Sequence, residues 1–289
     1  MNDVSGIITT YKRDSSIVEK AIQSMLDQTI ALKEIVVVDD NPNDSEYCSG
    51  VEAVCKKYNN VKYLKQNGNK GACAARNLGI RNTTGAYIAF LDDDDTWFPQ
   101  KIEKQLSTFM INPPKVGLVY CCGVLCNQET NEEMDYYNIK SFRERVSFND
   151  LLEYDYIGST SQPLIRRECF EKVGLFWEEQ PARQDYEMWL RISKEFEIIG
   201  IPDKLFRHCI HDGEQISKGS LRSHLGYINI YKRYRKDFNN NLPAKEHILS
   251  MILATRSSIG LNEFYVYFLR IITVLQIKKG SRNKSKDSD

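Results

Sequence analysis

Four consecutive aspartates, Asp92 to Asp95, directly follow the apolar residues of the stretch AFLDDDDTW. Adjacent carboxylates repel one another, so such a run is stable only if a cation or hydrogen-bond donors offset its charge. Carboxylate oxygens suit Mg²⁺ or Mn²⁺, which take their remaining ligands from water and from substrate phosphates. The run therefore predicts a divalent metal that holds a phosphorylated ligand, with a solvated acidic loop as the alternative.

Two other polar clusters also follow apolar runs. The residues TTYKR, from Thr9 to Arg13, end the first such run, and Asp39-Asp40 end the second. In an open sheet of parallel strands, ligands bind beyond the carboxyl ends of the strands. We therefore expect these two clusters and the acidic run to converge on one crevice.

The elements that must position these clusters alternate along the first part of the chain. Short β-rich runs predict strands, and segments of helical apolar spacing predict helices between them. The predicted strands are 4–10, 34–38, 61–64, 86–91 and 116–122, and the predicted helices are 17–28, 46–58, 72–81, 100–110 and 184–196. This alternation predicts an α/β fold with a doubly wound, mostly parallel sheet flanked by helices. Domain boundaries are expected at 1–219, 220–279 for a helical C-terminal appendage, and 280–289 for a basic disordered tail.

Composition limits the classes of protein that fit. The 289 residues are 42% hydrophobic and 27% charged, which is typical of a globular protein. Lys+Arg and Asp+Glu are equal at 39 each, so nothing in the overall charge indicates a nucleic-acid partner. The eight cysteines are scattered and follow no signal peptide, which predicts reduced thiols and a cytoplasmic location.

The C-terminal sequence predicts a contact with the inner face of the cell membrane. No apolar stretch reaches the roughly 20 residues that span a bilayer. Residues 264–275 are apolar, however, and basic residues follow them between 278 and 286. This combination is typical of peripheral attachment to an anionic surface. A helix packed on the main domain, with a solvated tail, is the alternative.

Five motifs in order resemble the family 2 glycosyltransferases. They are TTYKR, VVVDDNPND, NKGACAARN, FLDDDDTW and QDYEMWLR, and the resemblance covers roughly residues 4–220. It implies the GT-A fold and a divalent metal, Mn²⁺ or Mg²⁺, at the acidic run. It also implies inverting transfer of a sugar from a nucleotide-sugar donor, most often a UDP-sugar.

The resemblance assigns residues to a nucleotide site and a metal site. Those expected to bind the nucleotide are Thr9, Tyr11, Arg13, Asp39, Asp40, Gly71, Arg76, Asp92 and Asp93. Tyr11 would stack on the base and Asp39 or Asp40 would accept from the uracil imide N–H, although this pair could equally initiate a turn. Arg76 would contact the ribose, the base or the acidic run. Asp94 is the expected metal ligand, with His211 as a second ligand or phosphate donor, and Asp95 is expected to cap the following helix.

Inverting transfer also requires a base, and the motif QDYEMWLR supplies Asp185. A helix N-terminus at this position would keep its carboxylate ionised. Glu187 is the alternative base, and Gln184 stands where the family has Glu. The hydroxyls of Ser159, Thr160 and Ser161 are expected to face the acceptor. The carboxyls of Asp185 and Asp94 are expected to lie roughly 10 Å apart.

These features predict an enzyme that transfers a sugar to a saccharide or lipid-linked acceptor in surface polysaccharide or glycan synthesis. One alternative is a sugar nucleotidyltransferase, but TTYKRD after the first strand lacks the Gly-rich loop that holds a triphosphate. A non-catalytic nucleotide-sugar-binding module is the other alternative. The presence of Asp185 together with the acidic run argues against it.

Overall fold

A mixed sheet organises the first and larger part of the chain. The computed structural model describes residues 3–127, 130, 132–137, 141–210 and 221–258. The strands are β1 (Val4–Thr10), β2 (Glu34–Asp39), β3 (Val61–Lys65), β4 (Tyr87–Asp92), β5 (Thr96–Trp97), β6 (Val116–Asn127), β7 (Glu133–Tyr137), β8 (Arg145–Val146), β9 (Leu164–Arg166) and β10 (Glu197–Ile210). Their order is β3-β2-β1-β4-β9-β6-β10-β5, with β7 paired to β6 and β8 paired to β10.

Helices connect most of the strands. They are α1 (Ser15–Leu26), α2 (Glu46–Cys55), α3 (Ala72–Arg81), α4 (Lys101–Ile111), α5 (Phe148–Glu153), α6 (Arg167–Val173), α7 (Gln184–Glu195), α8 (Leu221–Arg233), α9 (Arg235–Asn240) and α10 (Leu242–Ser258). The alternation of strands and helices up to α3 confirms the βαβ pattern that the sequence predicts, and α3 has the predicted bounds. Asp14 begins α1 by accepting a 2.8 Å hydrogen bond from the Ser16 backbone, which satisfies one of the helix's free N–H groups.

Strands β3, β2, β1 and β4 form the parallel part of the sheet. Parallel strands are covered by helices on both faces, so their sequences are almost continuously apolar. Residues 35–38 of β2 are an example: this isoleucine and these three valines are fully buried. Their β-branched side chains suit a pleated, packed surface.

The other half of the sheet contains both strand directions. Strand β9 is antiparallel to β4 and to β6, between which it lies. Strand β10 runs parallel to β6 and antiparallel to β5. The sequence pattern did not predict β10, because Pro202 and the polar pair Asp203-Lys204 interrupt its apolar run. The strand continues through this interruption by two register shifts, between Ile201 and Lys204 and between Lys204 and Phe206.

The chain divides into two compact units. The first contains the sheet and comprises residues 1–151, 155–179 and 184–213. The second contains α8, α9 and α10 together with residues 152–154 and 180–183. The boundaries expected at 219 and 279 fall in segments outside the described residues and stay predictions. Within the described part of the chain, no helix has both the length and the apolar character needed to cross a bilayer.

Candidate active site

The ends of three parallel strands bring the polar clusters of the sequence together. In the β1–β4 pair Thr9 lies opposite Asp92, and in the β1–β2 pair Thr10 lies opposite Asp39. Neighbouring strands in a sheet are about 4.8 Å apart. The backbone N–H of Asp40 also donates to the Thr10 carbonyl at 2.9 Å. The TTYKR cluster therefore lies between Asp39-Asp40 and the acidic run, and the three clusters meet at one edge of the sheet, as the sequence predicts.

Two arginines bind the first three aspartates of the acidic run. Arg13 donates from Nε to Asp93 at 3.0 Å and from Nη2 to Asp94 at 2.7 Å. Arg76, on α3, donates from Nη2 to Asp92 at 3.1 Å. Of the three contacts open to Arg76, the structure thus shows the one with the acidic run. A guanidinium binds carboxylates through several donors, so these pairs hold the run in a defined geometry.

Asp95 has a different environment from the other three aspartates. It is fully buried, accepts from the Ser161 hydroxyl at 2.6 Å, and lies 3.0 Å from Nδ1 of His208 on β10. The backbone N–H of Cys209 also donates to it at 3.2 Å. The expectation that Asp95 caps the next helix is wrong, because α4 begins only at Lys101 and the carboxylate is committed to β10 and the Ser161 loop.

Two of the three hydroxyls expected to face a sugar acceptor, those of Thr160 and Ser161, are instead part of the support for the acidic run. Thr160 donates to the Asp92 carboxylate at 3.1 Å. The Ser161 hydroxyl accepts from the Asp92 backbone N–H at 3.1 Å while donating to Asp95. Both side chains are buried, with 1% and 0% of their surface exposed, so they position carboxylates rather than bind a substrate.

The protein's own cations balance the acidic run. Arg76 binds Asp92, Arg13 binds Asp93 and Asp94, and His208 pairs with Asp95. Burial alone would lower the pKa of His208, but its bond to Asp95 and the nearby carboxylates raise that pKa to about 9. The imidazole is therefore protonated at neutral pH. The repulsion that suggested a metal from the sequence is thus offset without one.

Burial also affects the acids of the run. It raises the pKa of Asp93 to about 7, against the opposing effect of Arg13 and with a smaller upward contribution from Asp94. It likewise raises the pKa of Asp95 to about 6, and His208 opposes that rise. A positive neighbour is therefore needed to keep these two buried carboxylates ionised at neutral pH.

The donor set at the run fits Mg²⁺ or Mn²⁺. Among the described residues, no group of three or more His, Cys, Asp or Glu side chains forms a complete metal cage. Ions of this kind need only one or two carboxylates when a bound phosphate and waters supply the rest. Arg13 binds both Asp93 and Asp94, and Asp94 is the less buried of the two. Its carboxylate offers such an oxygen donor just beyond the end of β4. His211 lies outside the described residues.

Asp39 is buried and internally bonded at the end of β2. One oxygen accepts from the backbone and side-chain N–H groups of Asn41, each at 2.8 Å, and the other accepts from the Tyr63 hydroxyl at 2.7 Å. Burial opposes ionisation, but these hydrogen bonds outweigh it and lower the pKa of Asp39. The bond to the Asn41 backbone is that of a turn, which was the alternative interpretation of this pair. A role in base recognition stays a prediction.

The loop after β1 is fixed by the same network. Asn41 accepts from the Lys12 backbone N–H at 2.7 Å, which links the β1 loop to the end of β2. Tyr11, in that loop, has 40% of its surface exposed. An exposed aromatic ring beside buried carboxylates suits stacking on a nucleotide base.

Asp40 positions the start of α3. Its two oxygens accept from the backbone N–H groups of Lys70 and Gly71, each at 2.8 Å. Gly71 has a φ of 88°, and a Cβ added there would meet no atom within 4 Å. Only glycine adopts this conformation without strain, and the open space leaves the backbone accessible to a ligand. Asp40 thus ties the third loop to the end of β2.

Asp185 lies in the first turn of α7, as predicted, and is partly exposed. One of its carboxylate oxygens accepts from the Tyr186 backbone N–H at 2.8 Å. Burial raises the pKa of the Cys73 thiol to about 12; Arg76 opposes this rise and Asp185 adds to it. Asp185 and Arg76 therefore both lie within electrostatic range of the first turn of α3. This places the expected base near the helix whose arginine binds Asp92.

Glu187, the alternative base, has a structural role. It is fully buried and both of its oxygens accept from Nε of Arg191, at 3.1 and 3.0 Å. A carboxylate committed to a buried ion pair cannot reach an acceptor hydroxyl. On the same helix, Trp189 donates to the Gly158 carbonyl at 3.0 Å, which joins α7 to the loop that supports the acidic run.

Two residues that precede expected functional side chains along the chain have an unusual backbone conformation. Among the described residues, the non-glycine residues with positive φ are Lys12, at 50°, and Arg183, at 60°. Such values are uncommon for residues with a side chain, and they concentrate at functional sites. Lys12 precedes Arg13 in the chain, and Arg183 lies two residues before Asp185. The two loops that carry the expected functional side chains are therefore both constrained.

Sequence reasoning missed His208 and gave Thr160 and Ser161 a different role from the one that the structure shows. His208 is 113 positions from Asp95 along the chain, and Ser161 is 66 positions away. The spacing of nearby residues in a sequence cannot indicate a contact between positions so far apart. The four successive aspartates did carry one usable signal, because more carboxylates than a metal requires imply additional protein partners.

The sheet order and the site define a GT-A glycosyltransferase fold, which solved structures share. TarS of S. aureus, in complex with UDP-GlcNAc, aligns with a TM-score of 0.62 at 17% identity over 79% of this chain and 66% of TarS. The mannosyltransferase PcManGT from Pyrobaculum calidifontis, in complex with GDP-Man and Mn²⁺, aligns at 0.63 and 17% identity over 98% and 83% of the two chains. GalNAc-T7 with UDP, GalNAc and Mn²⁺ aligns at 0.65 and 16% identity, over 80% and 48%.

The chain belongs to glycosyl transferase family 2, whose model matches residues 5–174. A glycosyltransferase of Rickettsia prowazekii is 30% identical over 85% of this chain and 74% of its own length. The β-1,3-glucosyltransferase WfgD of Escherichia coli, named for UDP-Glc and α-D-GlcNAc-diphosphoundecaprenol, is 29% identical over 68% of this chain and 72% of its own. A Rickettsia felis relative is 30% identical over 78% of this chain, which spans only 36% of that protein.

Proposed function

We propose that this protein is a metal-dependent, inverting glycosyltransferase that moves a sugar from a nucleotide-sugar donor, with UDP as the expected nucleotide, to an acceptor hydroxyl. The observation that carries the proposal is the convergence of strand ends in a family 2 chain. Asp92, Asp93 and Asp94 are held by Arg13 and Arg76 at this edge. They lie at the end of β4, the strand next to the one that leads to the exposed ring of Tyr11.

In this proposal the protein's residues bind the donor and move one proton. Tyr11 stacks on the base, and Asp92 and Asp93 bind ribose hydroxyls or metal-bound water. Asp94 would hold a Mn²⁺ or Mg²⁺ ion, which would supply Lewis-acid stabilisation of the departing diphosphate. Asp185 takes the proton of the acceptor hydroxyl. At the same time the acceptor oxygen bonds to the anomeric carbon, and the bond from that carbon to the diphosphate breaks.

The relatives support the choice of donor and acceptor. The Escherichia coli enzyme is named for a UDP-sugar and a lipid-linked diphosphate acceptor, and TarS and GalNAc-T7 were solved with UDP-GlcNAc and UDP. PcManGT was solved with GDP-Man, so the nucleotide requires a direct test. We propose a saccharide or lipid-linked acceptor, in surface polysaccharide or glycan synthesis. The predicted membrane contact through residues 264–286 concerns a segment outside the described residues.

The experiment compares wild-type protein with Asp185→Asn. The donor is first chosen as the nucleotide-sugar that gives the largest Mn²⁺-dependent rise in melting temperature, because a ligand that binds the folded state stabilises it. We expect Asp185→Asn to retain this stabilisation and to lose roughly 10²- to 10⁴-fold in donor turnover. Glu179→Gln, which changes an exposed acid before α7, is the matched control. Unchanged turnover in Asp185→Asn would contradict the assignment of the base.

A further inference from the structure

We infer that the outer face of α8 and α9 is a docking surface for an anionic lipid bilayer. Residues 221–240 contain five basic side chains and one acid, Asp237, whereas acids and bases are equal in number over the whole chain. The basic residues are Arg222, Lys232, Arg233, Arg235 and Lys236, and all five are exposed. The inference concerns a different surface from the candidate active site and does not depend on glycosyl transfer.

The two helices form one nearly continuous amphipathic surface. Backbone hydrogen bonds from Tyr234 to Ile230, at 3.0 Å, and from Phe238 to Tyr234, at 2.9 Å, continue the helical pattern through the junction. The buried side chains lie on one side, and they are Tyr227, Ile230, Tyr234 and Phe238, each with at most 7% of its surface exposed. At 100° per residue, the basic residues fall on the opposite side.

Two exposed leucines share the basic face. Leu221 and Leu225 have 58% and 41% of their surfaces exposed. They are one helical turn apart and both fall within the arc that Arg235 and Arg233 bound. Basic side chains around exposed leucines are typical of helices that lie on a membrane surface, where the charges meet anionic headgroups and the apolar groups enter the interface.

The inner side of α8 is packed against α10, so the basic face is held outward. The Nδ1 atom of His224 lies 3.1 Å from the Ile252 carbonyl. The ring of Tyr231 contacts that of Phe238, with centroids 5.8 Å apart. The surface is therefore formed by helices that are already packed, and docking requires no change in the fold of this unit.

The positive charge of residues 221–240 favours an anionic bilayer over a neutral one. A local excess of four positive charges over twenty residues (five basic minus one acidic, from the sequence) attracts the phosphodiester headgroups of an anionic leaflet. This attraction falls off within about 10 Å at 0.1 M salt, so it acts only at contact. A neutral bilayer offers the leucines an interface but offers the basic side chains no anionic headgroups.

The test is co-sedimentation of the full chain with vesicles of phosphatidylcholine alone, or of equal parts phosphatidylcholine and phosphatidylglycerol. We expect binding only to the anionic vesicles, and expect it to weaken as salt is added. Each basic residue at an anionic surface strengthens binding by roughly fivefold, so K232Q/R235Q/K236Q should bind roughly 100-fold more weakly. L221S/L225S should bind more weakly than wild type but retain the preference for anionic vesicles.

Two further variants decide between this face and other sources of positive charge. K20Q/K62Q/R81Q removes three exposed cations from the other unit and should bind like wild type. An equal loss in both triple variants would overturn the inference, because the attraction would then be one of net charge. The C-terminal variant K278Q/K279Q/R282Q is the second control. The inference is also overturned if that variant abolishes binding while K232Q/R235Q/K236Q has no effect.

Discussion

The Nη2 atom of Arg13 lies 2.7 Å from a carboxylate oxygen of Asp94. The same guanidinium donates from Nε to Asp93 at 3.0 Å. The aspartate expected to bind the metal is therefore already paired with a cation from the loop after β1. Arg13 and a divalent ion would both use the charge of Asp94, which couples the nucleotide loop to the metal site.

The first prediction concerns this competition. Arg13→Gln removes the positive charge while keeping hydrogen-bond donors, so Mn²⁺ alone should bind about tenfold more tightly. Binding of the nucleotide-sugar should weaken, because the loop that carries Tyr11 loses its anchor. Calorimetric titration with Mn²⁺ in the absence of nucleotide measures the first effect. Arg81→Gln, an exposed cation on α3, should change neither affinity, and equal Mn²⁺ affinity in wild type and Arg13→Gln would refute the competition.

The second prediction concerns the support beneath the acidic run. Ser161→Ala removes a buried hydroxyl that donates to Asp95 and accepts from the Asp92 backbone. Two buried polar groups then lose a partner, which should lower the free energy of unfolding by about 2 to 4 kcal/mol. Denaturant titration followed by circular dichroism measures the loss. Ser107→Ala, whose hydroxyl bonds an exposed helix carbonyl, should stay within about 0.5 kcal/mol of wild type.

The third prediction concerns pH. The pKa of His208 is raised from 6.5 to about 9 by its bond to Asp95, so its stabilising effect is complete below about pH 6.5. This effect is lost as the pH rises through about 9. The melting temperature of wild type should therefore exceed that of His208→Asn most at pH 6.5. At pH 9.5 the difference in melting temperature between wild type and His208→Asn should be smaller by roughly 5 °C. This change is equivalent to a loss of about 2 kcal/mol in the free energy of unfolding.

His247 provides the matched control for this measurement. Its pKa is lowered from 6.5 by burial, so the imidazole is mainly neutral over the whole range from pH 6.5 to 9.5. The difference between wild type and His247→Asn should stay constant over that range. A constant difference for His208→Asn as well would show that the imidazolium–carboxylate pair does not form.

The sequence predicts the parallel half of the fold well, because local patterns determine it. The β-branched run of β2 and the apolar spacing of α3 each specify their element, and the acidic run follows β4 as its position requires. The sequence predicts β10 poorly, since Pro202 and its polar neighbours obscure a strand that tertiary pairing to β6 maintains. His208 lies on that strand. Its approach to Asp95 therefore could not be foreseen.

In the candidate site, too, the sequence predicts what local patterns determine and does not predict what depends on tertiary pairing. Asp92 and Asp39 lie beside β1, as parallel strand ends require. The roles of Thr160 and Ser161 depend on β9, which enters the sheet antiparallel between β4 and β6. Because β9 is antiparallel to both neighbours, it is not part of a βαβ unit, and a parallel-sheet argument gives its loop the wrong surroundings.

The central claim is that Asp94 joins a divalent metal to a nucleotide diphosphate. Calorimetric titration of UDP, and separately of GDP, into the protein with Mn²⁺ present or removed by chelation tests it most directly. We predict that one of these nucleotides binds only when Mn²⁺ is present, and that Asp94→Asn weakens this binding by at least about tenfold. The claim is contradicted if neither UDP nor GDP binds in the presence of Mn²⁺. It is also contradicted if wild type and Asp94→Asn bind the nucleotide with equal affinity.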